Sequence, residues 1–399
     1  MIRLGFIGVG GYGRHQLEGF LPFQASGRIS IRALADPAPA ALAAVQLPRA
    51  ERFLDYREML DQAELDAVVI CAPIHAHKEI TLRAAQRDLF VLLEKPPVPL
   101  VSDLRELIAA DRNRRVMVAF QHIYKPLARR MKEAVWRGDI GRPIAISAQG
   151  LWPRTSEYYE RSPWAGELFQ GGRPVLDGPC TNAMAHFLNS LFFLAGKGPA
   201  QFARPERLAG EVYRARPIAS YDIGAVRGTL DQGMKFSALF AHAAAEKTPV
   251  RIGVLGTEGE MELLDDATKY RDPRGEIFSG SDGRDELRHA FLAFVEGAVE
   301  KNLTSLPAME PYLLATNMMF QSSGGIHAVA PGFVEVCHPG TPEAAFSVRG
   351  LRELFRSSSE RMNSFREIGM PWAMEPRVLS ASEFDERQML DFLSDPLTV

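Results

Sequence analysis

Short apolar runs alternate with amphipathic stretches over the first 122 residues of this 399-residue chain. The first run lies in "RLGFIGVG". In "RISIRALAD" the apolar side chains fall at Ile29, Ile31, Ala33 and Ala35, the two-residue period of a strand. "DAVVICAP", "LFVLLEKPP" and "RRVMVAF" are nearly continuous apolar runs, as expected for strands buried on both faces. Between them "RHQLEGFLPF", "YREMLDQAEL", "HKEITLRAAQRD" and "LVSDLRELIAADRN" read as helices, the last with Ser102 placed as its N-cap. This order predicts a parallel, doubly wound sheet, with its ligand site at the carboxyl ends of the strands.

Beyond a helix "LARRMKEAVWRG", punctuated by Gly138 and Gly141, the pattern changes. "RPIAISAQGLW", "GEVYRA", "AVRGTL", "KFSALFAHAA", "VRIGVLG" and "EMELL" are short alternating segments joined by glycine-bearing turns. They predict a mostly antiparallel sheet. "GRDELRHAFLAFVEGAVEK" and "AMEPYLLATNMMFQSS" read as helices covering one of its faces. The expected fold is α/β, with an N-terminal doubly wound Rossmann-type parallel sheet and a C-terminal α+β domain on a large, mostly antiparallel open sheet. Residues 1–122 form the first domain and 123–340 the second. Residues 341–399 form an extension packing on the second domain.

Composition narrows the function classes. The apolar share of 46% and charged share of 24% are those of an ordinary globular protein. A formal net charge of −3 gives no basis for a nucleic-acid or anionic-membrane partner. Cys71, Cys180 and Cys337 are sparse and odd in number, which predicts no disulfide framework and a reducing cytoplasm. The N-terminus lacks the order of a signal peptide, and no apolar stretch has membrane-spanning length. His75 and His77 stand too isolated for a metal site, so no metal is expected.

The chemistry begins at Gly8-x-Gly10-x-x-Gly13, between a strand and a helix. Gly8 permits the tight turn, Gly10 lets the backbone approach a pyrophosphate, and Gly13 lets the helix pack on the strand. N–H groups at the helix start then face the anion. Alone, the motif also describes any glycine-rich turn. Asp36, at the end of the second strand, adds a carboxylate able to accept from both adenine-ribose hydroxyls. It would repel a 2′-phosphate, so NAD is favoured over NADP, though Arg14 and Arg32 leave room for the latter.

At these residues the chain resembles the Gfo/Idh/MocA family of NAD(P)-dependent oxidoreductases. The motifs are "GFIGVGGYG", "DAVVICAPIHAHKEI" and above all "LLEKPP"; "GDIGRPIAIS" resembles the family's entry into its second domain. The resemblance covers the first third closely and the rest more loosely, to about "SSGGIHAV". It implies a second domain whose sheet covers the nicotinamide and often forms an oligomer interface, hence a homodimer or homotetramer. It implies sugar, polyol or related carbohydrate-like substrates. It also places Lys95 beside the reacting carbon and Glu94 on the nicotinamide ribose. The cofactor side then comprises Gly8, Gly10, Gly11, Tyr12, Gly13, Asp36, Pro73, His77, Glu94, Lys95 and Gln121. An ammonium at Lys95 would favour negative charge developing on a substrate hydroxyl. Two positions depart from the family pattern. Ile74 stands where asparagine is usual. In "QHIYKP", Ile123 replaces an arginine whose charge either Lys125 or nothing supplies; Tyr124 of that stretch is a substrate-side candidate.

"WPRTSEYYERSPWAGELFQGGRP" offers Trp152, Arg154, Tyr158, Tyr159, Arg161 and Trp164. Rings suit sugar C–H faces and polar tips suit hydroxyls, but the same residues suit an inter-subunit arm. In "DGPCTNAMAHFLN", His186 lies ten residues before Gly196 and matches the histidine of the family's Asp-x-x-x-His pair. Four residues earlier stands Asn182, on the same face of a helix by spacing. Asp177 is a rival holder of the missing carboxylate role, or a cap. His186 is the expected base. His242, in "LFAHAA", is either a further substrate contact or structural. The expected function is an NAD-dependent oxidoreductase acting on a sugar, polyol or sugar derivative, with Lys95 and His186 assisting proton transfer. The alternatives are a redox-neutral glycosidase or lyase that retains NAD and a non-catalytic dinucleotide sensor.

Overall fold

Strand β1, Ile2–Ile7, lies inside a six-stranded sheet that is parallel throughout. The computed structural model describes residues 1–299, 302–353, 355 and 363–394. The other strands of this sheet are β2 (Ile29–Ala35), β3 (Glu51–Phe53), β4 (Ala67–Ile70), β5 (Phe90–Leu93) and β6 (Val116–Val118). Their spatial order is β3-β2-β1-β4-β5-β6, so the chain reverses its winding between β1 and β4. Helices cover both faces. This is why β4 reads as one apolar run: all four of its residues are at most 1% exposed. Strand β3, "ERF", was not legible in the sequence. It is an edge strand of three partly exposed residues, with no apolar pattern to betray it.

This sheet belongs to a unit formed by Met1–Tyr124 and Gly283–Glu310. The helix Arg284–Val295, expected over the second sheet, therefore belongs to the first unit. Its apolar side finds partners there: Phe294 meets Phe90 edge-to-face at 5.2 Å and His289 meets Phe23 at 4.8 Å. Downstream, Val118 donates its N–H to Thr304 O at 2.9 Å. The helix at Val101–Ala110 also starts earlier than expected. Leu100 holds the cap position and Ser102 lies in the first turn, because Leu100 and Val101 are both drawn into the core.

The second unit comprises Lys125–Asp282 and Pro311–Val399. It contains β7 (Pro143–Leu151), a small hairpin of β8 (Phe169–Gln170) and β9 (Arg173–Pro174), and then β10 (Pro205–Arg214), β11 (Ile223–Leu230), β12 (Lys235–Ala241), β13 (Thr248–Gly256), β14 (Glu260–Leu264), β15 (Lys269–Arg271), β16 (Ile277–Ser279) and β17 (His327–Ala328). The large sheet runs β16-β15-β14-β13-β7-β12-β11-β10-β17. Its pairs are antiparallel except β7 with β12 and β10 with β17. The Ala185–Ala195 helix packs on it, with Phe192 against Phe236 at 5.7 Å and Phe187 against Phe240 at 6.4 Å. Part of the C-terminal extension (354, 356–362 and 395–399) lies outside the described residues. In the described part, Phe365 and Trp372 pack on Tyr213 of β10, at 5.7 and 4.8 Å. Among the described residues no helix is long and apolar enough to cross a membrane.

Candidate active site

In the first unit, the turn after β1 is built so tightly that only glycine fits. Gly8 has φ +82°, and a Cβ there would lie 2.8 Å from the Cys71 carbonyl carbon and oxygen. A Cβ on Gly13 would lie 2.0 Å from Gly8 O. Gly10 caps the helix Gly11–Ala25, and Tyr12 is exposed in its first turn. Asp36 is drawn onto this turn. Its Oδ2 accepts from Val9 N at 2.9 Å and Gly10 N at 3.2 Å, and its Oδ1 accepts from Ala38 N at 2.9 Å. Each carboxylate oxygen can accept more than one hydrogen bond, so ribose hydroxyls can still be received.

Glu94, Lys95 and Pro96 follow β5, with a cis peptide bond between the last two. Glu94 is 8% exposed. Gln16 Nε2 donates to its Oε1 at 2.6 Å and Lys95 N donates to its Oε2 at 3.2 Å. Arg288 Nη2 donates to Gln16 Oε1 at 3.1 Å, which fixes the amide with its NH2 toward Glu94. Burial pushes the Glu94 carboxyl above its usual range, while Gln16 and the nearby charges of Lys95 and Arg288 pull it back. Neither Gln16 nor Arg288 was picked out from the sequence. A signal existed for Gln16: it is polar on the buried stripe of Gly13, Leu17 and Phe20. Arg288 had none.

Two expected contacts in this unit, His77 and Tyr124, have partners within the protein. His77 is buried with Nδ1 2.9 Å from Pro96 O and Nε2 2.8 Å from Ala72 O. Burial lowers its pKa. Both nitrogens face carbonyl oxygens, which pull the pKa back up because only a doubly protonated ring donates to both, and the ring ties the segment at Pro73 to that at Lys95. Tyr124 is buried with its hydroxyl 3.1 Å from Thr304 Oγ1. Ile74 and Ile123 are core side chains, and Gln121 is buried in the turn after β6. Lys125 belongs to the second unit. It is buried, and its Nζ donates to Asp266 O at 2.9 Å.

In the second unit, Asp177 is 2% exposed. Asn182 Nδ2 donates to Oδ1 at 2.7 Å, Gly166 N donates to Oδ2 at 2.7 Å, and Arg161 Nη2 lies 3.9 Å from Oδ2. Asn182 does not share a helical turn with His186. It lies in a π-helical turn, Pro179–Ala183, closed by Met184 N donating to Pro179 O at 2.8 Å. The α-helix starts only at Ala185, so the four-residue spacing is broken by the change of winding. His186 stands half-buried in the first turn of that helix, next to Phe187, whose ring meets Trp152 edge-to-face at 5.5 Å.

The aromatic loop folds around arginines. Arg154 and Arg161 lie over the Tyr158 ring at 4.5 and 3.7 Å from its centroid, and Arg161 lies 5.0 Å from Trp164. Trp152 Nε1 donates to Asp266 Oδ1 at 3.2 Å. His242 is buried, with Nδ1 3.2 Å from the Tyr159 hydroxyl. Burial, then the charges of Arg154, Arg161 and Arg216, hold its pKa well below the ordinary value. It is a neutral ring packed in this cluster, with Nε2 buried and without a hydrogen-bond partner among the described residues. Arg216 and Asp222 escaped sequence reasoning because "RARPIASYDIG" carries no motif. Burial pushes the Asp222 carboxyl up to about 6. Among the described residues no cluster of histidine, cysteine, aspartate or glutamate could hold a metal ion.

Residues 2–122 match the model of the GFO_IDH_MocA oxidoreductase family, NAD-binding Rossmann fold. The chain is 30% identical to 1,5-anhydro-D-fructose reductase of Ensifer adhaerens over 158 residues, 38% of this chain and 44% of that protein. It is 24% identical to levoglucosan dehydrogenase of Pseudarthrobacter phenanthrenivorans over 312 residues, 73% of this chain and 77% of that protein. The match to the reductase thus spans under half of its length. Among solved structures, the WlbA dehydrogenase of Bordetella pertussis, in complex with NADH and UDP-GlcNAcA, is similar with a TM-score of 0.68 at 21% identity. That likeness covers 81% of this chain and 96% of the other, and at this identity it establishes the fold.

Proposed function

From its membership of the Gfo/Idh/MocA oxidoreductase family, we propose that this chain is an NAD-dependent dehydrogenase acting on a CH–OH group of a sugar, polyol or sugar derivative. The observation that carries the reading is the pairing of the glycine-rich turn at Gly8–Gly13, in which Gly8 and Gly13 admit no Cβ, with Asp36, at the point where the first sheet reverses its winding. The residues present fit a dinucleotide. Gly10 and Gly11 put no side chain at the helix start, that start offers N–H groups, and the Asp36 carboxylate disfavours a 2′-phosphate. Bound NAD would supply the hydride acceptor.

The chain's own residues do the rest. The Lys95 ammonium stabilises negative charge on the substrate oxygen, and Glu94, held by Gln16, keeps the main chain before Lys95 in place. His186 accepts the hydroxyl proton. The Asp177–Asn182 pair holds the segment that leads into the His186 helix. The names of relatives such as levoglucosan dehydrogenase and inositol 2-dehydrogenase support a polyhydroxylated substrate. The test is spectrophotometric: purified protein with NAD and a panel of sugars, polyols and sugar acids. Formation of reduced nicotinamide with at least one is expected, and faster with NAD than with NADP. Silence across the panel would overturn the reading.

A further inference from the structure

Three guanidinium groups crowd one aromatic cluster of the second unit. Arg154 and Arg161 share the Tyr158 ring, and Arg216 lies over Tyr159 at 4.9 Å. Three carboxylates lie within electrostatic reach of these arginines: Glu160 and Asp222 of Arg216, and Asp177 of Arg161. Asp177 serves Gly166 and Asn182 as well as Arg161, and Asp222 accepts from the main-chain N–H groups of Ala215 and Arg216 at 2.9 and 3.0 Å. Arg216 spends its guanidinium on neutral oxygens: Ser156 Oγ at 2.8 Å, Arg154 O at 3.2 Å and Ala344 O at 2.8 Å. Arg154 pairs with no carboxylate among the described residues, and its Nε is buried without a hydrogen-bond partner.

A guanidinium N–H withdrawn from water and left without an acceptor is costly. Arg83, Arg227 and Arg288 share such a buried Nε but each also pairs with a carboxylate, which Arg154 does not among the described residues. The planar fork of arginine matches carboxylate and phosphate oxygens in two parallel hydrogen bonds, which a single neutral hydroxyl cannot accept. The cluster adjoins the segment bearing the expected base. Arg161 reaches Asp177, Asp177 holds Asn182, and Trp152 packs on Phe187 beside His186. We infer that the ligand of the second unit is an acidic sugar or polyol, carrying a carboxylate or a phosphate monoester that Arg154 receives with Arg161 beside it. That this ligand is the substrate rests on the dehydrogenase reading; that it is an anion does not.

Isothermal titration of the NADH-loaded protein separates the two. The probes are D-glucose, D-glucuronate, D-gluconate and D-glucose 6-phosphate, against wild type, Arg154→Gln and Arg154→Lys, at low and at threefold higher salt. At least one anionic probe is expected to bind tenfold or more tighter than glucose. Gluconate and glucuronate report a carboxylate site, and the 6-phosphate a phosphate site. The preference should shrink in higher salt and fall tenfold or more in Arg154→Gln, with partial retention in Arg154→Lys. Equal or better binding of glucose overturns the inference, as does binding of none at millimolar concentration. An unchanged preference in Arg154→Gln does so too, even if that variant melts earlier, because the stack is then structural. Anion binding without NAD reduction on any panel member leaves this inference standing and removes the dehydrogenase reading.

Discussion

The Asn182 amide donates a hydrogen bond to the Asp177 carboxylate at 2.7 Å, bringing an acid onto the position four residues before His186. The pair couples the loop to the π-helical turn that precedes the His186 helix. Asn182→Asp would set two carboxylates at hydrogen-bond distance, and one pKa of that pair must rise. Folded-state stability would then be present below the ordinary carboxylate range and lost as pH rises through the raised value. The variant should melt several degrees below wild type at pH 8 and close to it at pH 5. The exchanged pair Asp177→Asn with Asn182→Asp should recover much of the difference, and failure to recover would show that Gly166 and Arg161 matter more than Asn182.

Lys95→Met and His186→Gly should each lower kcat by roughly 10²- to 10⁴-fold, the usual range for one general acid–base or charge-stabilising group. NAD affinity, read by fluorescence titration, should fall far less in His186→Gly. Free imidazole should restore part of the His186→Gly turnover. Wild-type rates in either variant would remove that residue from the proposed chemistry.

The Arg288–Gln16–Glu94 chain makes a separate prediction for the first unit. Gln16 pulls down a carboxyl that burial has raised. In Gln16→Leu the Glu94 pKa rises further, so the acid limb of kcat/KM for NAD moves to higher pH. KM for NAD should rise about tenfold, the order of one lost hydrogen bond to a charged group. Arg288→Met should move the same limb in the same direction by less, since it frees the amide to turn and removes a charge whose pull on Glu94 is smaller than that of Gln16. An unmoved limb in both would reduce the chain to packing.

Glu211, on β10, is buried under the C-terminal extension and accepts from Phe365 N at 3.2 Å. Burial pushes its carboxyl from 4.5 up to about 7, against the pull of Phe365, Arg227 and Tyr213. Because the folded-state value is the higher, this contribution to stability is complete below pH about 4.5. It is lost as pH rises through about 7, at a cost of roughly 3 kcal/mol. Urea unfolding should show Glu211→Gln with a flatter pH profile and greater stability than wild type at pH 8. A parallel profile in the two proteins would contradict the assignment.

Local rules carried the first domain a long way. Strands buried on both faces have to be apolar, so β4 and β5 announced themselves, and Gly8 and Gly13 stand where any Cβ would collide. The positions of Asp36 and of Glu94–Lys95 at strand ends followed from the same alternation. Strand β3 did not show, because an edge strand of exposed residues obeys no burial pattern. The second domain's alternating segments predicted a large sheet but not its order. The insertion of β7 between β12 and β13 is a pairing over long sequence separation.

Side-chain pairing was decided by the tertiary structure. Arg288 reaches Gln16 across 272 positions and Tyr124 meets Thr304 across 180, separations over which sequence patterns carry no signal. The Asn182–His186 spacing misled for a local reason, since a π-helical turn rewinds the chain between them. What the sequence by itself determined is where backbone and burial leave no choice of residue type. Which polar groups meet, and so which charges are balanced, depended on chain segments that only folding brings together.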